Sequence, residues 1–242
     1  MEFEDGKILL AQVEGLDKVD WKTIKDSMGL DKFRDLFEES ELIGLVNWSS
    51  MINFNNILEG ILKEILSNTS PKKEQIVFFD FADFSKRHRL EVLRATELIG
   101  EFNNYRKVVL GLNENESLLM YKSLFQDTNP KELLLVGREI FDSLSIDTLV
   151  IHSLTSSIAI DNNSIVQVPS LYVKEPKLST GGGDNFNAGL CFGLLLDLEL
   201  ESALYIANAT SGYYVRNAQS PNIESLIETL KIWNELMEVN NI

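Results

Sequence analysis

Short apolar runs that close on a polar residue recur along this chain, separated by longer segments with apolar residues at helical spacing. Gln75-Ile76-Val77-Phe78-Phe79-Asp80, Lys107 to Leu112 and Thr148 to Ile151 are apolar without alternation. That is the pattern of strands buried on both faces of a parallel sheet. Glu41 to Trp48 has the same look, and Gly6 to Val13 reads as a further strand, at an edge or in a lid. Between them the spacing predicts two short helices over Asp20 to Glu39 with a break near Gly29, and single helices over Asn53 to Leu66, Ser85 to Phe102 and 130 to 144. A further helix opens at Asn113. Ser156 to Asp161 and Ser164 to Val168 form a hairpin about Asn162-Asn163, and helices 184 to 197, 201 to 217 and 221 to 238 complete the chain. Strand and helix in alternation imply right-handed crossovers and helices on both faces of the sheet. The expected fold is a three-layer α/β/α unit around a mostly parallel, doubly wound, Rossmann-like sheet. No repeat or linker interrupts it, so residues 1–242 read as one domain.

In such sheets ligands bind beyond the carboxyl ends of the strands, and charge narrows what those ligands can be. The net charge is −15, and basic residues gather only in short pieces such as Lys86-Arg87-His88-Arg89. Nucleic acid and anionic membrane are therefore poor partners. A nucleotide remains compatible, provided that glycine turns, helix ends and a metal ion handle its phosphates locally. One cysteine, Cys191, and two histidines, His88 and His152, exclude a Cys/His zinc site and an internal disulfide. Cys191 lies in an apolar helix and reads as a buried structural thiol. With no signal pattern at an acidic N-terminus and no apolar run long enough to span a bilayer, the expected location is the cytoplasm.

The chemistry concentrates between Leu178 and Leu196, where Ser179-Thr180-Gly181-Gly182-Gly183-Asp184-Asn185-Phe186-Asn187-Ala188-Gly189 runs into an apolar helix. Three glycines at a helix mouth allow close approach of a ligand to backbone N–H groups, and the dipole there favours an anion. A carboxylate beside that anion is repulsive unless it has work to do, and taking a proton from an attacking hydroxyl is such work. A glycine loop merely capped by aspartate is the bland alternative. The extended pattern Gly-x-Gly-Asp-x-Phe-x-Ala-Gly resembles the C-terminal signature of the ribokinase-like (PfkB) carbohydrate kinases. The resemblance implies that Gly181, Gly182 and Gly183 form the anion hole for the transferred phosphate and that Asp184 is the catalytic base.

Asn113-x-x-Glu116 follows a predicted strand and is similar to that family's Asn-x-x-Glu motif. The resemblance implies that Glu116 helps to place Mg2+ through water and that Asn113 contacts the nucleotide phosphates. Asp80 and Asp83 also end a strand at the expected cleft. Ala207-Asn208-Ala209 matches a late-helix motif beside the family's nucleotide pocket, which would make Asn208 a nucleotide contact; a buried helix asparagine is the alternative. The resemblance runs from about Gly6 to the C-terminus. No segment matches the family's N-terminal sugar-binding and lid portion, so a shortened chain is expected. Two further departures are that His152 to Ser157 lacks the glycines of a Thr-x-Gly-x-x-Gly motif, and that Leu178 replaces an acidic residue near the family's monovalent-cation site, whose use stays open. His152 reads as a pocket residue or a histidine packed at a strand end.

The resemblance thus implies an ATP- and Mg2+-dependent phosphotransferase acting on a hydroxymethyl group of a sugar-like acceptor. The alternative is a truncated or diverged non-catalytic relative that binds nucleotide or a partner chain. Its sheet edge would then need covering by another subunit, which leaves room for a homo-oligomer.

Overall fold

The structure is a computed structural model that describes residues 15–129 and 131–239, together with the backbone of two short antiparallel strands, β1 (Glu2–Phe3) and β2 (Gly6–Lys7). The rest of the expected 6–13 strand, and the expected helix start at Pro130, lie outside the described residues. The helices α1 (Trp21–Met28) and α2 (Leu30–Glu39) are divided by Gly29, whose φ of +85° is open to glycine at little cost. The strand β3 (Leu42–Leu45) is shorter than the expected run, because Asn47 turns into the left-handed region and starts a 3-10 turn at Trp48.

Residues 53–66, expected as one helix, divide into α3 (Phe54–Gly60), a π turn over Ile61–Ile65 and a 3-10 turn over Leu66–Asn68. The Trp21 ring lies against Gly60, where a Cβ would stand 2.1 Å from it. Glu64, inside the wide turn, receives Trp21 Nε1–H at 2.7 Å and Lys25 Nζ at 2.8 Å.

β4 (Lys72–Asp80), α4 (Arg89–Phe102), β5 (Arg106–Asn113), α5 (Glu114–Phe125), α6 (Leu133–Ser143), β6 (Thr148–His152), β7 (Ser156–Asp161) and β8 (Ile165–Pro169) follow in alternation. α4 begins four residues later than the spacing suggests. Its start is set by a capping box in which His88 Nδ1 accepts the Leu90 N–H and Glu91 Oε2 accepts the His88 N–H. The six-stranded sheet has the order β3-β4-β5-β6-β7-β8 and is mostly parallel, with β3, β4 and β5 parallel in register. Helices flank it in the three-layer α/β arrangement expected. Residues 162–164 join β7 to its neighbour β8, too short a link for anything but a hairpin.

The chain divides into two compact units, one of Gln12–Ile151 with Ile160–Asn163, the other of Met1–Ala11, His152–Ala159 and Ser164–Ile242. In the first, residues 76–79 of β4, Val108 to Leu110 of β5 and Leu149 to Ile151 of β6 are buried. Phe79 meets Phe102 of α4 edge-on at 5.3 Å. The second unit holds α7 (Gly182–Leu195), α8 (Leu200–Asn217), α9 (Ile223–Lys231) and α10 (Trp233–Val239). The last two replace one expected helix, broken at Ile232. α7 and α8 pack backbone to backbone, since a Cβ on Gly193 would stand 2.9 Å from Ala203 Cα and one on Gly189 would stand 2.6 Å from Thr210 Oγ1. Among the described residues no helix is long and apolar enough to cross a membrane. Cys191, on α7, is part-exposed rather than fully buried, and burial of its thiol pushes it up to about 12.

Candidate active site

α7 starts two residues earlier than the spacing suggests. Gly181 is its N-cap, with φ +91°, and Gly182 and Gly183 are its first helical residues, so Asp184 stands in the first turn rather than at its head. The reason is local: a left-handed N-cap is open to glycine, and the two glycines that follow have no side chain to oppose the helix. The Gly182 N–H bonds to Ser179 O at 3.1 Å and the Asn185 N–H bonds to Gly181 O at 3.0 Å. The N–H groups of Gly181, Gly183 and Asp184 have no acceptor among the described residues. Asp184 itself is exposed to solvent. A helix mouth with free N–H groups and an adjacent exposed carboxylate can bind an anion and accept a proton within one turn of chain.

His152, at the end of β6, completes this turn from beneath. Its ring stacks on Phe186 with centroids 4.6 Å apart, and a Cβ on Gly183 would lie 3.5 Å from its Cε1. Desolvation lowers the imidazole to about 4, so it is neutral near pH 7 and adds no charge to the turn. Asn208, on α8 in the same unit, is buried, and its Nδ2 donates to Ser157 Oγ at 2.6 Å and Leu204 O at 2.9 Å. Both N–H bonds of that amide are thus committed inside the protein.

The other candidate residues belong to the first unit. Asn113 is the N-cap of α5 and closes a capping box with Glu116: Asn113 Oδ1 accepts the Glu116 N–H at 2.9 Å, and Glu116 Oε2 accepts the Asn113 N–H at 2.9 Å. Asn113 Nδ2 also donates to Glu116 Oε1 at 2.7 Å. Glu116 is buried, and desolvation, against the pull of these bonds and reinforced by the Asp80 and Asp83 charges, raises its carboxyl to about 7. Asp80 is buried and its Oδ1 accepts the Ala82 N–H at 2.8 Å across a left-handed Ala82. Asp83, exposed, accepts the Ser85 N–H, which holds its carboxyl below the usual range. The loop that carries both is fixed by Trp48, which stacks on Phe81 at 4.9 Å and lies under the Arg87 guanidinium at 4.1 Å.

Among the described residues no group of three or more His, Cys, Asp or Glu side chains forms a ready metal cage. A buried carboxylate with two carboxylates in its field, and with oxygen lone pairs left over, instead fits a hard divalent cation that keeps its own waters. Sequence reasoning singled out Asn113, Glu116 and Gly181 to Asp184, but not the side chains that meet the glycine turn from α8, Ser211 and Tyr214. Ser211 Oγ donates to Gly182 O at 2.9 Å, and Tyr214 Oη donates to Thr180 O at 2.8 Å. Neither carries a local signal, because each acts some thirty residues away along the chain.

A family model of prokaryotic ketohexokinase matches residues 1–233. The chain belongs to the prokaryotic ketohexokinase family. It is 28% identical over 229 residues to a ketohexokinase of Haloferax volcanii, covering 93% of this chain and 60% of that protein's length. In fold it is similar to a ribokinase from Thermotoga maritima, with a TM-score of 0.62 and 18% identity over 95% of this chain and 67% of that one. An E. coli protein assigned as a ribokinase II, solved with ATP and Mg2+, aligns with a TM-score of 0.59 and 14% identity over 87% of this chain and 64% of that one. The ribokinase-like resemblance and the fold class expected from the sequence are both borne out.

Proposed function

We propose that this chain acts in the cytoplasm as a single ribokinase-like domain, transferring the γ-phosphate of ATP to a hydroxymethyl group of a sugar or sugar-like acceptor. The observation that carries the reading is the start of α7, where an exposed Asp184 stands beside the Gly181 and Gly183 N–H groups, which have no acceptor among the described residues. Asp184 accepts the proton of the acceptor hydroxyl as its oxygen forms a bond to phosphorus and the bond from phosphorus to the ADP oxygen breaks. The N–H groups of the glycine turn stabilise the negative charge carried by the transferred group. Positioning and charge neutralisation account for most of the catalysis of this reaction class, so one base and an oriented amide cradle suffice.

Glu116, held by Asn113, would hold Mg2+ through water. When bound, that ion supplies neutralisation of phosphate charge. The ATP and Mg2+ in the E. coli relative support this pair of ligands. Asn113 and Asn208 are nucleotide contacts in this reading. A monovalent cation is left to assay with and without potassium.

The name of the Haloferax relative makes ketohexoses the first acceptors to test. Incubation of the purified protein with Mg2+, ATP and separate ketohexoses, aldoses and nucleosides, followed by mass analysis of products, tests the reading. A sugar monophosphate formed only with Mg2+ and ATP supports it. A folded protein that phosphorylates none of them while binding ATP contradicts it and favours a binding role.

A further inference from the structure

The Gly181 and Gly183 N–H groups, without an acceptor among the described residues, are useful to an anion only if their peptides are held at a fixed tilt, and glycine peptides do not hold themselves. Two hydroxyls on one face of α8 meet the turn from behind. Tyr214 Oη donates to Thr180 O at 2.8 Å and Ser211 Oγ donates to Gly182 O at 2.9 Å. A trans peptide is planar, with its C=O and N–H pointing in opposite directions. The peptide that ends in Thr180 O carries the Gly181 N–H, and the one that ends in Gly182 O carries the Gly183 N–H. Holding each carbonyl therefore aims an N–H away from α8, and both of those N–H groups lack an acceptor among the described residues.

The rest of the approach is tied to the same stretch of α8. Val215 O accepts the Lys177 N–H at 2.8 Å, while Arg216 donates to Leu171 O at 3.3 Å and Tyr172 O at 2.8 Å. The fit is close: a Cβ on Gly181 would lie 2.8 Å from Tyr214 Oη, and one on Gly182 would lie 3.2 Å from Val215 Cγ1. The Arg216 guanidinium has carbonyl partners on both neighbouring segments, and desolvation lowers its pKa. This end of α8 is thus built to grip backbone oxygen atoms.

We infer that Ser211 and Tyr214 are positioning residues that orient the Gly183 and Gly181 N–H groups toward the transferred phosphate without touching it. The inference rests on the phosphotransferase reading for its catalytic consequence, though its geometric content is separable from turnover. Each hydroxyl sets one donor, so removal of either reduces transition-state stabilisation more than ATP binding.

The test uses the full chain as wild type, Tyr214→Phe, Ser211→Ala and Ser211→Thr, with ADP plus orthovanadate as the probe. Backbone amide NMR follows Gly181 and Gly183, alongside kcat and KM for ATP and a thermal melt. The expected result is a fall in kcat of about tenfold or more in Tyr214→Phe and in Ser211→Ala, with KM for ATP unchanged. The vanadate-induced shift should shrink at Gly181 in the first variant and at Gly183 in the second, and Ser211→Thr should restore it. Variants that match wild type in kcat and in both shifts overturn the positioning role alone. A wild-type protein whose two amides ignore vanadate overturns the cradle, and this inference with it. A wild-type protein that responds to vanadate without turnover contradicts the phosphotransferase reading, while loss of the shift in the variants still upholds the positioning role.

Discussion

α5 and α7 both begin directly after an extended or turning segment, and both carry a carboxylate in the first turn, yet they use that position in opposite ways. At α5 the carboxylate is folded back on its own cap: Asn113 and Glu116 satisfy each other through three hydrogen bonds, and Glu116 is buried. At α7 the cap is a glycine with no side chain to offer, the carboxylate of Asp184 faces solvent, and the Gly181 and Gly183 N–H groups have no acceptor among the described residues. A helix start that caps itself is rigid and holds its carboxyl group in a fixed place. One that leaves its donors open needs rigidity from elsewhere, and α8 supplies it through Ser211 and Tyr214.

The comparison breaks most sharply at Gly181. Gly181→Ala places a Cβ 2.8 Å from Tyr214 Oη at a φ of +91°. The left-handed backbone alone costs about 1–2 kcal/mol, and displacement of the turn should lower turnover by about a hundredfold. Paired melting and kinetic measurements check this. A variant with wild-type kcat would mean that the turn does not need its geometry.

Glu116 sharpens the other side through pH. Its carboxyl is raised from 4.5 to about 7, so the folded state holds a proton that the unfolded chain has already lost between those values. Stability attributable to this group is fully present below 4.5 and falls as pH rises through 7, by about 3 kcal/mol in total. Urea denaturation of wild type and Glu116→Gln across this range should show the decline in wild type and a much flatter profile in the variant. Added Mg2+ should reduce the wild-type decline by favouring the carboxylate. A wild-type profile as flat as the variant's would contradict the assignment.

A smaller effect is expected at Asn208. Its amide joins α8 to Ser157 of β7, and Asn208→Ala would leave the fully buried Ser157 hydroxyl without this partner. The expected cost is about 1–3 kcal/mol in a denaturation curve. KM for ATP distinguishes a structural tie, which leaves it unchanged, from a nucleotide contact, which raises it. His152→Asn should be milder still. It removes the stack on Phe186 while keeping a neutral side chain below Gly183, so a reduction in melting temperature with KM for the sugar unchanged is the expected outcome.

Much of this was legible in the chain itself. Unbroken apolar runs such as Val108 to Leu110 become central parallel strands because burial on both faces removes any alternation. Gly29 divides two helices and Asn162-Asn163 turns a hairpin through local conformational preference alone. The capping pair Asn113 and Glu116 was visible as a motif because its geometry closes within one turn. What was not legible depends on distant partners. The break of the helix after Gly60 coincides with packing by Trp21, and the early start of α7 coincides with hydroxyls from α8. Local spacing holds no record of either contact.

The central claim is that Asp184 is the base of a phosphotransfer, and its most direct test compares wild type with Asp184→Asn in Mg2+-dependent transfer from ATP to the best acceptor found. Asp184 is exposed, and its side chain makes no hydrogen bond or ion pair with the described residues, so the variant should melt like wild type and bind ATP equally well. Turnover should fall by about a thousandfold or more. Full turnover in Asp184→Asn would contradict the account.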